Sequence, residues 1–186
     1  MDLTTATKIA LELVIELDDF CKRSAIAGSV RREKPDVHDI EIVCQPITSF
    51  AGMDTPLFTG ALYSYLANPT GKLARATKIK GAYKYQQWAL EEGINLDLFI
   101  VTPPAQWGVI LAIRTGPAQL SQALVTQRSK GGLLPSWAHV KNGAVWYTKT
   151  GELIEMATEA EFFQFCGLPF VEPRLREEMA WTHSQQ

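Results

Sequence analysis

Gly28-Ser29-Val30-Arg31-Arg32-Glu33-Lys34-Pro35-Asp36-Val37-His38-Asp39-Ile40-Glu41 is the stretch on which the reading of this chain turns. It continues as Ile42-Val43-Cys44, so a polar–apolar alternation passes into an apolar run. That pattern predicts a strand over 39–44, half-buried at its start and buried on both faces at its end. Side chains alternate along a strand, which puts Asp39 and Glu41 on the same side, about 7 Å apart. Two carboxylates so placed can share a pair of Mg2+ ions, which take oxygen ligands. Two metals about 4 Å apart serve phosphoryl transfer by stabilising the attacking and leaving oxygens together. Just upstream, Gly28-Ser29 offers backbone N–H groups and a hydroxyl in a turn, a cradle for terminal phosphates. Arg32 adds a fixed positive charge for the same oxygens. An exposed strand edge kept soluble by its acids would explain the acid pair alone. It does not explain Gly-Ser and Arg-Arg a few residues ahead.

A third carboxylate is expected at Asp97, within Ile94-Asn95-Leu96-Asp97-Leu98-Phe99-Ile100-Val101. It is the only charged residue in that apolar strand, and a charge on a buried strand is costly unless paired or metal-bound. Its role would be that of a metal ligand or general base, since perturbed carboxylates gather at functional sites.

Working outward, helical spacing over 4–22 predicts a first helix with Asp2 or Thr4 as its cap. Residues 24–27 are small and lead into the Gly28-Ser29 break. Gln45 to Asp54 reads as a loop, and Pro56 opens a helix that Asn68-Pro69 closes. Strands are expected over 76–79, 83–90 and 94–101. Pro103-Pro104 starts a helix to about Ile113, Thr115-Gly116-Pro117 interrupts it, and a further helix runs to about Arg128. Lys141-Asn142-Gly143 sits between two short strands as a hairpin turn, because Asn-Gly tolerates positive φ. Thr158 and Glu161 form a capping box for a helix to Phe165, with Gly167 beyond its end. The order α, β, α, βββ, αα, β-hairpin, α predicts an α/β (α+β) fold. A lobe around a mixed or antiparallel sheet is expected over 1–115, and a smaller α+β lobe over 116–186. Trp146-Tyr147 is expected in the core of that second lobe, and Tyr83, Tyr85 and Trp88 on a strand with one aromatic face toward the core.

The net charge of −2 conceals an asymmetry. Residues 55–151 carry ten bases against three acids, a net of +7, while acids outnumber bases on either side. Such a segment suits a phosphate-backbone partner, because each neutralised phosphate releases counterions. Lys78, Lys80, Lys84, Arg128 and Lys130 are the candidate DNA contacts. The three cysteines, Cys21, Cys44 and Cys166, are widely spaced, as buried thiols of a reducing compartment would be. No apolar run is long enough for a membrane span, and the first residues do not resemble a signal peptide, so a cytoplasmic or nucleoid-associated protein is expected.

Gly28-Ser29-Val30-Arg31-Arg32, followed ten residues after Ser29 by Asp39-Ile40-Glu41, resembles the palm motif of family X DNA polymerases, the polymerase beta group. There the pattern is Gly-Ser-x-Arg-Arg, then Asp-x-Asp. Leu96-Asp97-Leu98 is similar to the strand bearing that family's third aspartate. Trp107-Gly108 through Thr115-Gly116 resembles the helix and Thr-Gly turn at the incoming sugar. Cys166-Gly167-Leu168-Pro169-Phe170 and Pro173-Arg174-Leu175-Arg176-Glu177 resemble the family's closing segment. The resemblance implies a nucleotidyltransferase palm over 1–115 and a nucleotide-selecting lobe over 116–186. It implies that Asp39, Glu41 and Asp97 hold two Mg2+ or Mn2+ ions and that Asp97 helps deprotonate a primer 3′-hydroxyl. Gly28, Ser29, Arg32 and the backbone N–H of His38 would hold the β- and γ-phosphates. Thr115 and Gly116 would meet the sugar or base, and Ser121 and Gln122 the nascent base pair. The implied partners are a deoxynucleoside triphosphate and primer-template or gapped DNA, with the chain acting as a monomer.

Three departures stand out. Glu41 replaces the second aspartate, and its extra methylene favours slower turnover or Mn2+ over Mg2+. Ile113-Arg114 stands where the family has an aromatic pair, and His38 replaces a glycine. The family's lyase and helix-hairpin-helix regions have no counterpart in the sequence, so no lyase activity and a weaker grip on DNA are expected. The alternatives are a nucleotidyltransferase for a small molecule or protein, a template-independent transferase, and a catalytically silent DNA-end-binding module.

Overall fold

The computed structural model describes residues 1–47 and 60–178. The expected loop over 48–54 and the start of the Pro56 helix lie outside the described residues. The fold is α/β, with helices and two sheets. Its contacts divide into two units, one of residues 1–30 and 34–102, the other of residues 31–33 and 103–186. The contacts divide after residue 102, whereas the sequence pattern places a boundary at 115. The helix just before 115 packs within the second unit, against the helices that follow it.

In the first unit, helix α1 (Leu3–Asp18) is capped by Asp2, whose carboxylate accepts from Thr5 N–H at 2.9 Å. Ala6, Ile9, Ala10, Leu13 and Leu17 form its buried stripe. The helix stops at Asp18, short of Lys22. Beyond it the chain enters strand β1 (Cys21–Ile26), an element that the small, polar sequence of 21–26 does not announce. Tertiary pairing makes this strand: β1 runs antiparallel to β2 (Asp39–Pro46), with Ser24 opposite Cys44 and Ile26 opposite Ile42. A short helix α2 (Gly28–Arg31) joins them. Helix α3 (Ala61–Ala67) and strands β3 (Thr77–Gly81), β4 (Tyr85–Ala89) and β5 (Asn95–Ile100) follow.

The sheet order is β1-β2-β5-β4-β3. Only β2 and β5 are parallel; every other pair is antiparallel. A parallel pair needs a crossover connection, which here carries α3, β3 and β4 between the two strands. One face of the sheet presents Ile40, Ile42, Cys44, Leu96, Leu98, Ile100 and Trp88 to the apolar stripe of α1 and to Leu62, Tyr65 and Leu66 of α3. Trp88 thus faces the core while Tyr85 is on the opposite face. All three thiols are buried and free.

The second unit contains α4 (Trp107–Thr115), α5 (Ala118–Val125), a three-stranded sheet of β6 (Ala138–Lys141), β7 (Ala144–Tyr147) and β8 (Leu153–Ile154), and α6 (Glu159–Phe165). The β6–β7 turn has Asn142 and Gly143 both at positive φ (53° and 75°), the conformation that a two-residue hairpin turn demands. The capping box of α6 forms as expected, with Glu161 N–H donating to Thr158 Oγ1 at 3.2 Å. Val109, Ala112, Leu120, Leu124, Phe162 and Phe163 make a separate core. Tyr147 departs from expectation: it lies exposed rather than in that core. Trp146 is half-buried, and its indole N–H donates to the Lys141 carbonyl at 3.0 Å.

One buried carboxylate organises this unit. Glu159, 5% exposed, accepts from both terminal nitrogens of Arg31 (3.1 and 2.8 Å) and from Arg176 Nη1 at 2.8 Å. Arg176 is fully buried, with its guanidinium 4.7 Å from the Phe163 ring and 5.6 Å from Phe170. Its Nε donates to the Val171 carbonyl at 2.9 Å. Burial pulls the Arg176 pKa below its ordinary value, and Glu159 opposes that pull. Two arginines sharing one buried carboxylate are strongly coupled, because removing the acid leaves cationic charge uncompensated. Glu159→Ala is therefore expected to cost about 3 kcal/mol or more in urea unfolding. An unchanged midpoint would show that solvent, not Glu159, compensates the arginines.

Candidate nucleotidyl-transfer site

The parallel register places Glu41 opposite Asp97 and Asp39 opposite Asn95. Neighbours in register on a pleated sheet point to the same face, and so do residues two apart. Asp39, Glu41 and Asp97 therefore share the face opposite the α1 core. All three are half-buried, between buried Ile40, Ile42, Leu96 and Leu98 on the other face.

Asp97 has partners that its strand sequence alone does not reveal. Its Oδ1 accepts from Tyr85 O–H at 2.9 Å and from Gln87 Nε2 at 2.8 Å, both on the adjacent β4. Its partial burial is thus offset by two hydrogen bonds. Both bonds converge on one oxygen, and among the described residues Oδ2 has no hydrogen bond. The pair fixes the carboxylate's orientation, as supporting groups around metal ligands and bases do.

Glu41 is set by Gly28. Gly28 has φ of 59°, and a methyl group there would overlap the Glu41 carboxylate. The Ala27 N–H donates to the Glu41 carbonyl at 2.8 Å, tying the Gly28 turn to β2. Ser29 Oγ is buried and has no hydrogen-bond partner. A buried hydroxyl left unsatisfied loses its hydration without return, the condition that a bound phosphate oxygen would relieve. The His38 side chain is exposed.

The three carboxylates form a hard-oxygen donor set suited to Mg2+ or Mn2+. Among the described residues, however, no three His, Cys, Asp or Glu side chains converge as a metal-holding group. The backbone register is in place, but Asp97 Oδ1 is directed to Tyr85 and Gln87 and Glu41 lies against Gly28.

In the second unit Arg32 takes a position different from the one expected. Its Nε donates to Glu177 at 2.7 Å and its Nη1 to the Thr115 carbonyl. It thereby braces the Thr115–Gly116 turn instead of presenting a free fork for phosphate. Gly116 has φ of 71°, and a Cβ there would come within 2.9 Å of Arg32 Nη1. Thr115 is fully buried and its hydroxyl accepts from Arg31 Nη1 at 2.5 Å. Ser121, expected at a base pair, turns inward: its hydroxyl is 2.6 Å from the Ile113 carbonyl and 3.2 Å from that of Pro117. Gln122 does face outward. With Gln119, Ala123, Thr126, Lys130 and Gly131 it lines an open depression of about 460 Å3.

Of the expected DNA contacts, Lys78, Lys80 and Lys84 are solvent-facing on or beside the edge strand β3. Lys78 lies over the Trp88 ring at 5.8 Å and Lys84 over Tyr83 at 5.7 Å. Arg128 differs: Nε donates to the Leu133 carbonyl at 3.1 Å and Nη2 to that of Cys166 at 3.0 Å, so it holds a loop to the end of α6. Tyr85 and Gln87 are the site residues that sequence reasoning missed. Their signal was the alternation of β4, which puts both on the face of Asp97.

Gly28→Ala is expected to lower stability by at least about 1 kcal/mol from left-handed backbone strain alone. Part of the loss should return in the Gly28→Ala/Glu41→Ala double variant, where the obstructing carboxylate is gone. Strictly additive unfolding energies would show that the two residues do not touch.

Comparison with known proteins bears on the rest of the chain. No curated protein matches it. A family model, DNA polymerase beta thumb, matches residues 84–177, which include β4, β5, Asp97 and the whole Thr115–Gly116 turn but not Gly28 to Glu41. Since that match spans just over half of the sequence, the chain belongs to the DNA polymerase beta thumb family.

Proposed function

We propose that this chain is a DNA polymerase of the family X type, adding deoxynucleotides to a primer 3′-hydroxyl and suited to short gaps. The observation that carries the reading is the β2–β5 register, which sets Asp97 beside Glu41 with Asp39 on the same face. The family match supports a polymerase relationship, and the unsatisfied Ser29 hydroxyl supports an anionic ligand at the Gly28 turn.

In this reading the primer 3′-oxygen attacks the α-phosphorus, the new P–O bond forms, and pyrophosphate departs with the bridging oxygen. The hydroxyl proton passes toward Asp97 Oδ2, the oxygen that accepts no hydrogen bond. Tyr85 and Gln87 are positioning residues that hold the other oxygen still. Ser29 and the adjacent N–H groups, including that of His38, bind the leaving phosphates. Asp39, Glu41 and Asp97 would hold two divalent ions, which when bound supply charge stabilisation at the attacking and leaving oxygens. The remainder of the rate comes from positioning, which can account for several powers of ten.

The decisive measurement is extension of a gapped duplex with labelled deoxynucleotide and Mg2+ or Mn2+. Asp39→Ala should reduce extension by about a hundredfold or more, the loss typical of removing an electrostatic stabiliser from a transition state. Chelation by EDTA should abolish it, and Mn2+ should restore it at least as well as Mg2+. Gln87→Leu should lower kcat about tenfold, as loss of an orienting partner does, while leaving the KM for nucleotide nearly unchanged. A parent chain that binds gapped DNA but releases no pyrophosphate would sink the polymerase reading. The packing of Glu41 against Gly28 favours that second reading, a silent DNA-end-binding module.

A further inference from the structure

We propose that Trp137 and Tyr147 form a stacking platform for an unpaired base of single-stranded DNA. Their rings lie nearly parallel, 5.1 Å between centroids and 20° between planes, and Phe165 meets Trp137 edge-on at 5.4 Å. Yet Trp137 is 48% and Tyr147 41% exposed, whereas Phe162 and Phe163 of the same unit are fully buried. An aromatic pair that served only as core would be covered as those two are. This pair leaves a large part of each residue in contact with solvent.

The platform is held in place before any ligand arrives. Gln127 Nε2 donates to the carbonyls of Ser136 (3.0 Å) and Ala138 (2.8 Å), clamping the backbone on both sides of Trp137. Thr148 N–H donates to the Trp137 carbonyl at 2.9 Å, which ties the two ring-bearing segments together. Tyr147 N–H donates to the Glu152 carbonyl, and its own carbonyl accepts from Gly151, both at 2.9 Å. Rings fixed by their backbone lose little entropy on binding.

Charge around the pair suits a polyanion. Ser129 N–H donates to Ser136 Oγ at 3.2 Å, which sets the Arg128–Lys130 turn beside Trp137. Lys149 follows Tyr147 by two residues and is exposed. The nearby Glu152 carboxylate accepts from Thr150 Oγ1 at 2.9 Å. Aromatic faces next to cations are how proteins hold unpaired bases without regard to sequence. The inference rests on the reading of the chain as DNA-acting and adds to it a site for unpaired template or overhang bases.

The test is fluorescence anisotropy of the full chain with three labelled probes: a dT12 oligonucleotide, an abasic oligomer of the same length, and a blunt duplex. The parent should bind dT12 more tightly than the abasic oligomer. Trp137→Ala should weaken dT12 binding about tenfold or more, the usual consequence of losing a stacking ring. Its affinities for the abasic oligomer and the blunt duplex should stay within about twofold, because their contacts are to phosphate. Trp137→Phe should retain most of the affinity. Should Trp137→Ala lower the melting midpoint, Tyr147→Leu, which leaves the Phe165 contact intact, decides in its place. Equal binding of dT12 by parent and variant, or equal losses on dT12 and the abasic oligomer, overturns the proposal. Gapped-duplex extension by the same preparation judges the polymerase reading separately. Its failure shows as no extension by the parent, and failure of the platform shows as a parent that does not distinguish dT12 from the abasic oligomer.

Discussion

The pairing of β2 with β5 is the constraint on which the first unit depends. These two strands are central, so their backbone groups are satisfied on both sides and their register cannot slip by one residue without turning Ile40, Ile42, Leu96 and Leu98 out of the core. The same register fixes which polar residues share the other face. Hydrophobic burial on one side thereby sets the location of three carboxylates on the other, although none of the three contributes to that core. The acids cost the fold something, since half-buried charge is poorly solvated. The observed remedy at Asp97 is a pair of neutral donors, Tyr85 and Gln87. Neutral donors orient a carboxylate and keep its negative charge, whereas a cationic partner would cancel it.

The second unit is stabilised differently. Its core is apolar, but its ends are fixed by charge: Glu159 between Arg31 and Arg176, and Arg32 between Glu177 and the Thr115 carbonyl. Both arginines of the Arg31-Arg32 pair are thereby occupied in shaping this unit. Arg31 reaches the Thr115 hydroxyl and Arg32 the Thr115 carbonyl, so one turn is held from two sides. That bracing gives Gly116 its role. With φ of 71° and the Arg32 guanidinium 2.9 Å from where a Cβ would lie, this position favours glycine.

Much of this was legible in the sequence wherever local chemistry decides. Asn142-Gly143 forms its hairpin turn because few other pairs tolerate two positive φ values. Thr158 and Glu161 cap α6 because their spacing satisfies two orphan N–H groups at once. The Asp39–Glu41 alternation survived intact because a strand's period is geometric. What escaped was set at long range. β1 has no apolar alternation and becomes a strand only because β2 offers it an edge. The partners of Asp97 lie on a different strand, and their identity follows from a register that no local pattern states. Ser121 and Arg128 have partners that escaped for a related cause. Each looks like a polar group available to a ligand, and each is instead taken by nearby carbonyls that only the folded backbone brings within reach.

Asp97 shows why a buried acid need not be read as a cation's partner by default. Its strand sequence argues that a lone charge among apolar residues requires compensation, and compensation was expected from metal. Two hydrogen bonds meet part of that need at Oδ1. The remaining oxygen, Oδ2, is therefore the informative atom. A purely structural aspartate gains by placing donors on both oxygens, and β4 has put two donors on one. Among the described residues the arrangement holds the carboxylate through one oxygen and places no hydrogen bond on the other.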